Sequence, residues 1–451
     1  MDTQSNQLRV EFTKADLRRL IVPLVIEQLL SITVGLSDSL MVSQVGEAAI
    51  SAVSLVDTVN VLLVNAFASL ATGGAVITGQ YLGRREVGKA GHSAQQLLLF
   101  MAEVSLAVMV LFYLGKGFVL NVVFGQVEAD VAAYANTYYM IVEASIPFLA
   151  LYSAGAALFR VMGNSGTSMW VSTAMNAINV VGNGLLIFVF HRGVEGVAIP
   201  TLVSRIFAAA AMLVLLRRLN LPIQVERFTF RHDRFVVKNI LHFGVPNGIE
   251  GSMFQLGKIL LLSTVSVLGT ASVAANAIGN TLASFQVVPG TALGLAIVTV
   301  VSRCVGASEY DRARYYTKKM MRTAYLYTVL VIALILACLP LILKLYNVSD
   351  QAREWATQIL WMHGICGILI WPLAFTLPQA LRAAGDTRFT MVASTVSMWT
   401  LRVGLGILLG RYWGFGVVGI WIAMFADWVL RAALFVPRFH GHKWETMGLE
   451  N

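Results

Sequence analysis

Residues 23–54 read PLVIEQLLSITVGLSDSLMVSQVGEAAISAVS, and residues 246–277 read PNGIEGSMFQLGKILLLSTVSVLGTASVAANA. Each stretch opens on a proline, carries a glutamate four residues on, and continues as an apolar run long enough to cross a bilayer, which takes about 20 residues as a helix. Pro23 and Glu27 stand 223 residues before Pro246 and Glu250, and VGEAAISAV (45–53) stands the same distance before LGTASVAAN (268–276). The register persists beyond these segments. Gly83, Glu86 and Ala90 fall on Gly306, Glu309 and Ala313; after a gap of one residue Gly163, Gly182 and Gly184 fall on Gly385, Gly404 and Gly406; Gly193 and Gly196 return to the first offset against Gly416 and Gly419. The chain is one unit written twice.

Twelve apolar spans follow, the first at 16–43 and the last at 415–437. One long polar connection, Asn220 to Phe235, divides them six and six. The expected organisation is an N-lobe at 1–220, a cytoplasmic linker at 221–235 and a C-lobe at 236–451. An even number of crossings per copy gives both copies the same orientation, related by an axis along the membrane normal, an arrangement typical of transporters that work around a central site.

Composition agrees. Of 451 residues 57% are hydrophobic and only 13% charged, about half the charged share of an ordinary soluble domain. Too few charges remain to coat a soluble enzyme, and a disordered or disulfide-stapled chain is excluded as well. The net charge of +9 reflects topology and gives no sign of a nucleic-acid partner. Its basic residues sit in short clusters between apolar runs, without interleaved aromatics. Counting crossings from a cytoplasmic N-terminus leaves only Lys116, Arg192, Lys344, Arg353 and Arg411 on the far side, which places both termini inside by the positive-inside rule. The polar start MDTQSNQLRVEFTKADLRRL lacks the pattern of a cleaved signal peptide. Cys304, Cys338 and Cys366 lie far apart in or beside apolar runs and read as small hydrophobes, with no metal site among them.

The polar residues inside the spans carry the chemistry. A carboxyl at mid-membrane costs at least about 2.5–3.5 kcal/mol on insertion scales, so each needs a reason. Asp38 has no Lys or Arg for eighteen residues before it or forty-five after; a lone carboxyl there can shed its desolvation cost by taking up a proton. Asn179 and Asn183, four apart, present their amides on one helical face, and Thr201 adds a hydroxyl from the next span. In the second copy these four positions are Leu261, Leu401, Leu405 and Met424. Polar glue required by the fold would often recur in both copies, so the one-sided set reads as an ion site in the N-terminal half. Glu27 and Glu250 are equivalent and both acidic; they either line a cavity or cap polar contacts where the helix begins. Glu27 lies eleven residues before Asp38, about 16 Å along the same face. Lys258 is placed to pair across helices or to face a water-filled chamber. Asp427 and Arg431, four apart, pair within their helix. Asp57, Glu103, Glu143, Arg205 and Arg402 receive no role from the sequence alone.

Together these segments resemble the multidrug and toxic compound extrusion (MATE) transporters of prokaryotic type. The likeness covers nearly the whole chain and rests on residues 23–54, ATGGAVITGQYLG (71–83), FRVMGNSG (159–166), NVVGNGLLIF (179–188), GVEGVAIPTLVS (193–204) and FGVPNGIEGSMFQLGK (243–258). The resemblance implies an all-α integral membrane protein with twelve transmembrane helices in two six-helix lobes forming a V. It also implies secondary active efflux of small amphipathic, mostly cationic compounds by alternating access, driven by inward H+ or Na+. Asp38 matches the coupling carboxylate of the family, Pro23 the helix-bending proline, and Asn179, Asn183 and Thr201 the remaining ion-site positions. Asn183 departs from the aspartate often found there, and the tenth span is apolar around Trp371 where some members are acidic; this argues against a C-lobe cation site, which Glu250 leaves open.

The expected protein is a monomer in the cell membrane. It needs no cofactor beyond its coupling ion, H+ ahead of Na+, and no metal other than Na+ at that site. Glu27, Glu250 and Lys258 are its candidate cavity or substrate contacts. The alternatives are a lipid-linked precursor flippase of the same superfamily, which usually has more spans, and a membrane-embedded enzyme. The seven His are scattered and no phosphate loop is present, so nothing resembles a catalytic cluster.

Overall fold

The computed structural model describes residues 10–125, 127–218, 221–223, 231–346 and 348–449; the expected linker lies partly outside them. Helix is the dominant regular structure of the described residues, which contain no strand. Backbone amides in hydrocarbon must be satisfied within their own segment, which this architecture achieves.

Two compact units emerge, Phe12–Gly248 and Ile249–Asn451, the latter joined by Val10 and Glu11 from the beginning of the chain. Val10 N donates to Glu309 Oε2 at 3.1 Å and Arg312 Nη1 donates to Val10 O at 2.7 Å. The first unit comprises α1 (Lys14–Ser43), α2 (Glu47–Gly83), α3 (Val87–Leu114), α4 (Ala129–Glu143), α5 (Ile146–Val161), α6 (Ser165–Gly184), α7 (Glu195–Arg218) and the start of α8 (Arg234–Ser266). The second holds the rest of α8, then α9 (Thr270–Gln286), α10 (Val288–Gly306), α11 (Tyr310–Leu345), α12 (Asp350–Leu369), α13 (Pro378–Ala384), α14 (Thr387–Ser397) and α15 (Gly416–His440).

The internal repeat is written into the backbone. Gly46 and Gly269, one repeat apart, stand immediately before α2 and α9 with φ of 133° and 96°. Gly163 and Gly385, also repeat equivalents, follow the ends of α5 and α13 with φ of 84° and 104°. Only a residue without Cβ adopts such angles without strain. The wide helical turns at Leu185–Val189 and Leu408–Tyr412, where the backbone bonds five residues apart, are also one repeat apart.

Nine helices among the described residues are long and apolar enough to span a bilayer, and two bent pairs raise this to eleven. The sequence reads 131–157 and 353–381 as single spans. In the structure α4 and α5 meet at 46°, and α12 bends by 59° into the Pro372–Ala384 segment. Each break precedes a proline, Pro147 or Pro372, which removes a helical hydrogen bond that hydropathy cannot register. The helix α8, 33 residues long, completes the twelve; Glu250, Gln255 and Lys258 lower the hydropathy of its centre.

Helix α1 starts on a reciprocal cap, Asp16 N to Thr13 Oγ1 at 3.1 Å and Thr13 N to Asp16 Oδ2 at 2.9 Å. It then runs unbroken through Pro23. Proline leaves the Arg19 carbonyl without its usual donor, and Ser165 Oγ lies 3.0 Å from that oxygen and 2.8 Å from Leu20 O. A side chain from α6 thus completes the turn that Pro23 opens. Between helices, small residues permit close approach, since lipid tails give apolar surfaces no reason to leave them. A Cβ at Gly182 would stand 2.7 Å from Pro200 Cβ, so α6 and α7 touch at this glycine.

Candidate functional site

Helices α1, α6 and α7 bring the four polar positions of the N-terminal half together. Asn183 Nδ2 donates to Asp38 Oδ1 at 2.8 Å and lies 3.4 Å from Asn179 Oδ1. Asn179 Nδ2 donates to Thr201 Oγ1 at 3.1 Å, and Thr201 Oγ1 donates to Val197 O at 2.8 Å. The four-residue spacing of the asparagines does what it promised, and the α6–α7 contact at Gly182 holds Asn179 against Thr201. Asn183 is completely buried, Asn179 nearly so, and Asp38 is partly exposed. Among the described residues Asn183 Oδ1 has no hydrogen-bond partner. The donors diverge from Asn183, one arm to Asp38 and the other through Asn179 and Thr201 to the Val197 carbonyl, and Asp38 is the only member of this set whose charge can change.

A second ring of charge surrounds it, which the sequence left unassigned. Tyr138 Oη on α4 donates to Asp57 Oδ1 on α2 at 3.1 Å. Arg205, one turn beyond Thr201 on α7, donates to Ser145 Oγ at 2.6 Å and interacts electrostatically with Asp38, Asp57 and Glu143. Glu143 is wholly buried, and neither of its carboxylate oxygens has a hydrogen-bond partner among the described residues. Three carboxyls therefore share one guanidinium. The Thr201–Arg205 spacing was a usable signal; the convergence of Asp57 and Glu143 on the same point was not.

Glu27 and Glu250 resolve as a matched pair of structural contacts. Arg160 Nη1 lies 3.5 Å from Glu27 Oε1, and Ser168 Oγ donates to Glu27 Oε2 at 3.2 Å. Arg382 Nη2 donates to Glu250 Oε1 at 2.6 Å. Arg160 and Arg382 are themselves repeat equivalents, so both units fix the same glutamate with the same arginine. Neither glutamate stands where its helix begins: Glu27 lies midway along α1 and Glu250 midway along α8, each against an arginine of its own unit.

In the second unit Arg431 Nε donates to Asp427 Oδ1 at 2.8 Å, as their spacing predicts. Arg402 Nη1 lies 3.9 Å from Asp427 Oδ2, and Arg431 Nη1 lies 3.9 Å from Glu250 Oε1. Lys258 makes no ion pair among the described residues; the charged group it interacts with is Arg402, of like sign. No group of His, Cys, Asp and Glu among the described residues is arranged to hold a metal ion.

Known proteins match this architecture end to end. The family model MatE matches residues 23–185 and again 246–408, two matches that are themselves one repeat apart. The chain is 26% identical over 440 residues to the "Uncharacterized transporter YisQ" of Bacillus subtilis, covering 95% of this chain and 94% of that protein. It is 23% identical over 439 residues to the "Probable multidrug resistance protein NorM" of Thermotoga maritima, covering 96% and 93%. A solved structure described as the "outward-facing conformation of a multidrug resistance MATE family transporter of the MOP superfamily" superposes with a TM-score of 0.89 at 18% identity, covering 98% of each chain. The repeated helical unit, the family match in both halves and this shared fold lead to one conclusion: the chain belongs to the MatE (MATE) family of multi-pass membrane transporters.

Proposed function

We propose that this protein exports small amphipathic compounds across the cell membrane in exchange for an inward-moving cation, H+ ahead of Na+, with Asp38 as the coupling carboxylate. The observation that carries the proposal is the connected set Asp38, Asn183, Asn179 and Thr201, in which Asn183 donates its amide N–H to the carboxylate on one side and lies against Asn179 on the other. Asn and Thr cannot change charge, so any change of state at this site falls on Asp38. A proton needs no further ligand. A Na+ ion would need several oxygens, yet of the amide and hydroxyl oxygens in this set only Asn183 Oδ1 is without a hydrogen-bond partner among the described residues, the Asn179 oxygen and Thr201 hydroxyl being already engaged. The relatives called multidrug resistance proteins support export as the direction, and the count of basic loops supports cytoplasmic termini. Cationic cargo, which the resemblance implied, sits poorly with the basic interior of the second unit, so the proposal covers amphipathic compounds irrespective of charge.

The test is efflux of fluorescent amphiphiles from proteoliposomes under separately imposed gradients. A pH gradient alone should drive accumulation, and a Na+ gradient at clamped pH and membrane potential should not. The reverse pattern would transfer the site to Na+.

Pro23 is proposed as the point where α1 bends during the cycle. The turn is held by the Ser165 hydroxyl, which can let go, and not by a backbone bond, which α1 would have to break. Pro23→Ala restores that bond, worth about 0.5–1.5 kcal/mol. The variant should fold at least as well as wild type and export several-fold more slowly. Unchanged export would remove Pro23 from the mechanism.

A further inference from the structure

The two units carry the same fold, and the charged clusters around Asp38 in the first and around Arg402 in the second have opposite excess. Glu27, Asp38, Asp57 and Glu143 face Arg160 and Arg205 in the first, four acids to two bases. Lys258, Arg382, Arg402 and Arg431 face Glu250 and Asp427 in the second, four bases to two acids. The matched pairs Glu27–Arg160 and Glu250–Arg382 cancel within each unit. What remains is an acid excess around Asp38 and a base excess around Lys258 and Arg402. Neither Lys258 nor Arg402 has a charged counterpart in the first unit, where Gly35 and Val180 stand at their positions. An arginine does not lose its proton, and an uncompensated charge among transmembrane helices is costly. The first unit can neutralise itself with protons. In the second, Arg402 and Arg431 divide one carboxylate, Asp427, at 3.9 and 2.8 Å, and Lys258 has no ion pair among the described residues, a balance that an anion would complete.

Its surroundings suit one with an apolar body. Arg402 is 9% exposed, its guanidinium carbon stands 4.9 Å from the centre of the Phe254 ring, and its Nε has no hydrogen-bond partner among the described residues. Lys258 is exposed one turn beyond Phe254 on α8. A Cβ at Gly257 would run into Met398 Cε and lie 3.2 Å from Val403 Cγ2, so α8 meets the segment carrying Arg402 beside Lys258. That segment, Met398–Leu405, is wound with bonds five residues apart, a geometry common at functional sites. Its equivalent in the first unit remains ordinary α-helix. Trp371 and Phe375 stack nearby with ring centres 5.1 Å apart, and Arg431 lies 5.0 Å from the centre of the Phe375 ring. The buried indole N–H groups of Trp399 and Trp428 have no acceptor among the described residues.

We propose that the second unit binds an acidic amphiphile, its anionic head held between Lys258 and Arg402 and its apolar or aromatic body laid against Phe254 and its neighbouring rings. That this anion is the cargo rests on the transport reading; that it binds does not. Two sources share the chemistry, a soluble aromatic acid and an anionic lipid headgroup.

The experiment compares pyrenesulfonate with pyrenemethylammonium, one aromatic body with opposite charges, binding to the full-length protein in phosphatidylcholine nanodiscs. Binding to empty nanodiscs is subtracted. The anion should bind at least about tenfold tighter, the worth of one charge-assisted contact. Lys258→Gln, an exposed position whose change leaves the packing intact, should remove most of that preference, and Lys258→Glu should reverse it. Displacement of pyrenesulfonate by phosphatidylglycerol placed in the nanodisc would support the anion site and assign it to lipid; indifference to that lipid would assign it to soluble acids. Equal or tighter binding of the cation to wild type would overturn the proposal, as would an anion preference untouched by Lys258→Gln. No ion gradient is involved, so a failure of gradient-driven export leaves this result standing, and the converse holds.

Discussion

Asp38→Asn is expected to abolish uphill export driven by a pH gradient while leaving a folded protein that still exchanges amphiphile across the membrane at equal concentrations. The amide occupies the volume of the carboxyl and imitates its protonated state. Asn183 Nδ2 currently donates to Asp38 Oδ1 at 2.8 Å; facing the oxygen of the new amide, it retains an acceptor. What disappears is the alternation of charge. Accumulation in proteoliposomes should fall to the level of protein-free vesicles, and the protein should elute as a single species from size exclusion. Asn183→Asp, which adds a second carboxyl to the chain, should instead shift the pH dependence of export. Full pH-driven accumulation by Asp38→Asn would exclude Asp38 as the coupling group.

The second large effect concerns stability. Arg205 is the one cation that Asp38, Asp57 and Glu143 share. Unpairing a buried ion costs about 3–5 kcal/mol, and partial exposure of Arg205 places Arg205→Met near the lower end. Heating in detergent followed by size exclusion should show a loss of several degrees in the temperature of half recovery. Adding Asp57→Asn to Arg205→Met should restore much of it, because one of the unmatched charges is then gone. Arg205→Lys should be intermediate, retaining charge without the planar fork. A single variant as stable as wild type would mean the guanidinium does not balance this cluster.

The contrast between these two positions explains what was legible in the sequence. Asp38, Asn179, Asn183 and Thr201 could be grouped because the asparagines share a helical face and because all four turn apolar in the second copy. Helix periodicity and the repeat are both one-dimensional signals. Asp57 and Tyr138 are 81 residues apart in sequence and meet only because α2 and α4 pack together. Nothing in either span announces the other. The Glu27–Arg160 contact crosses 133 residues, yet a trace of it was present: glutamate and arginine recur together in the second copy as Glu250 and Arg382. The breaks before Pro147 and Pro372 were hidden because hydropathy averages through a bend. Lys258 and Arg402 could be seen as isolated basic residues, but their proximity to one another depends on the approach of α8 at Gly257.

The central claim, that Asp38 takes up the coupling proton, is tested most directly by the infrared difference spectrum of the purified protein between alkaline and acidic pH. Wild type should gain a carboxylic acid C=O band on acidification, and that band should be missing from Asp38→Asn while persisting in Asp57→Asn. Addition of Na+ at fixed pH should leave the carboxylate bands of wild type unmoved. A C=O band unaffected by Asp38→Asn, together with a Na+-dependent shift of a carboxylate band that this substitution removes, would contradict the account.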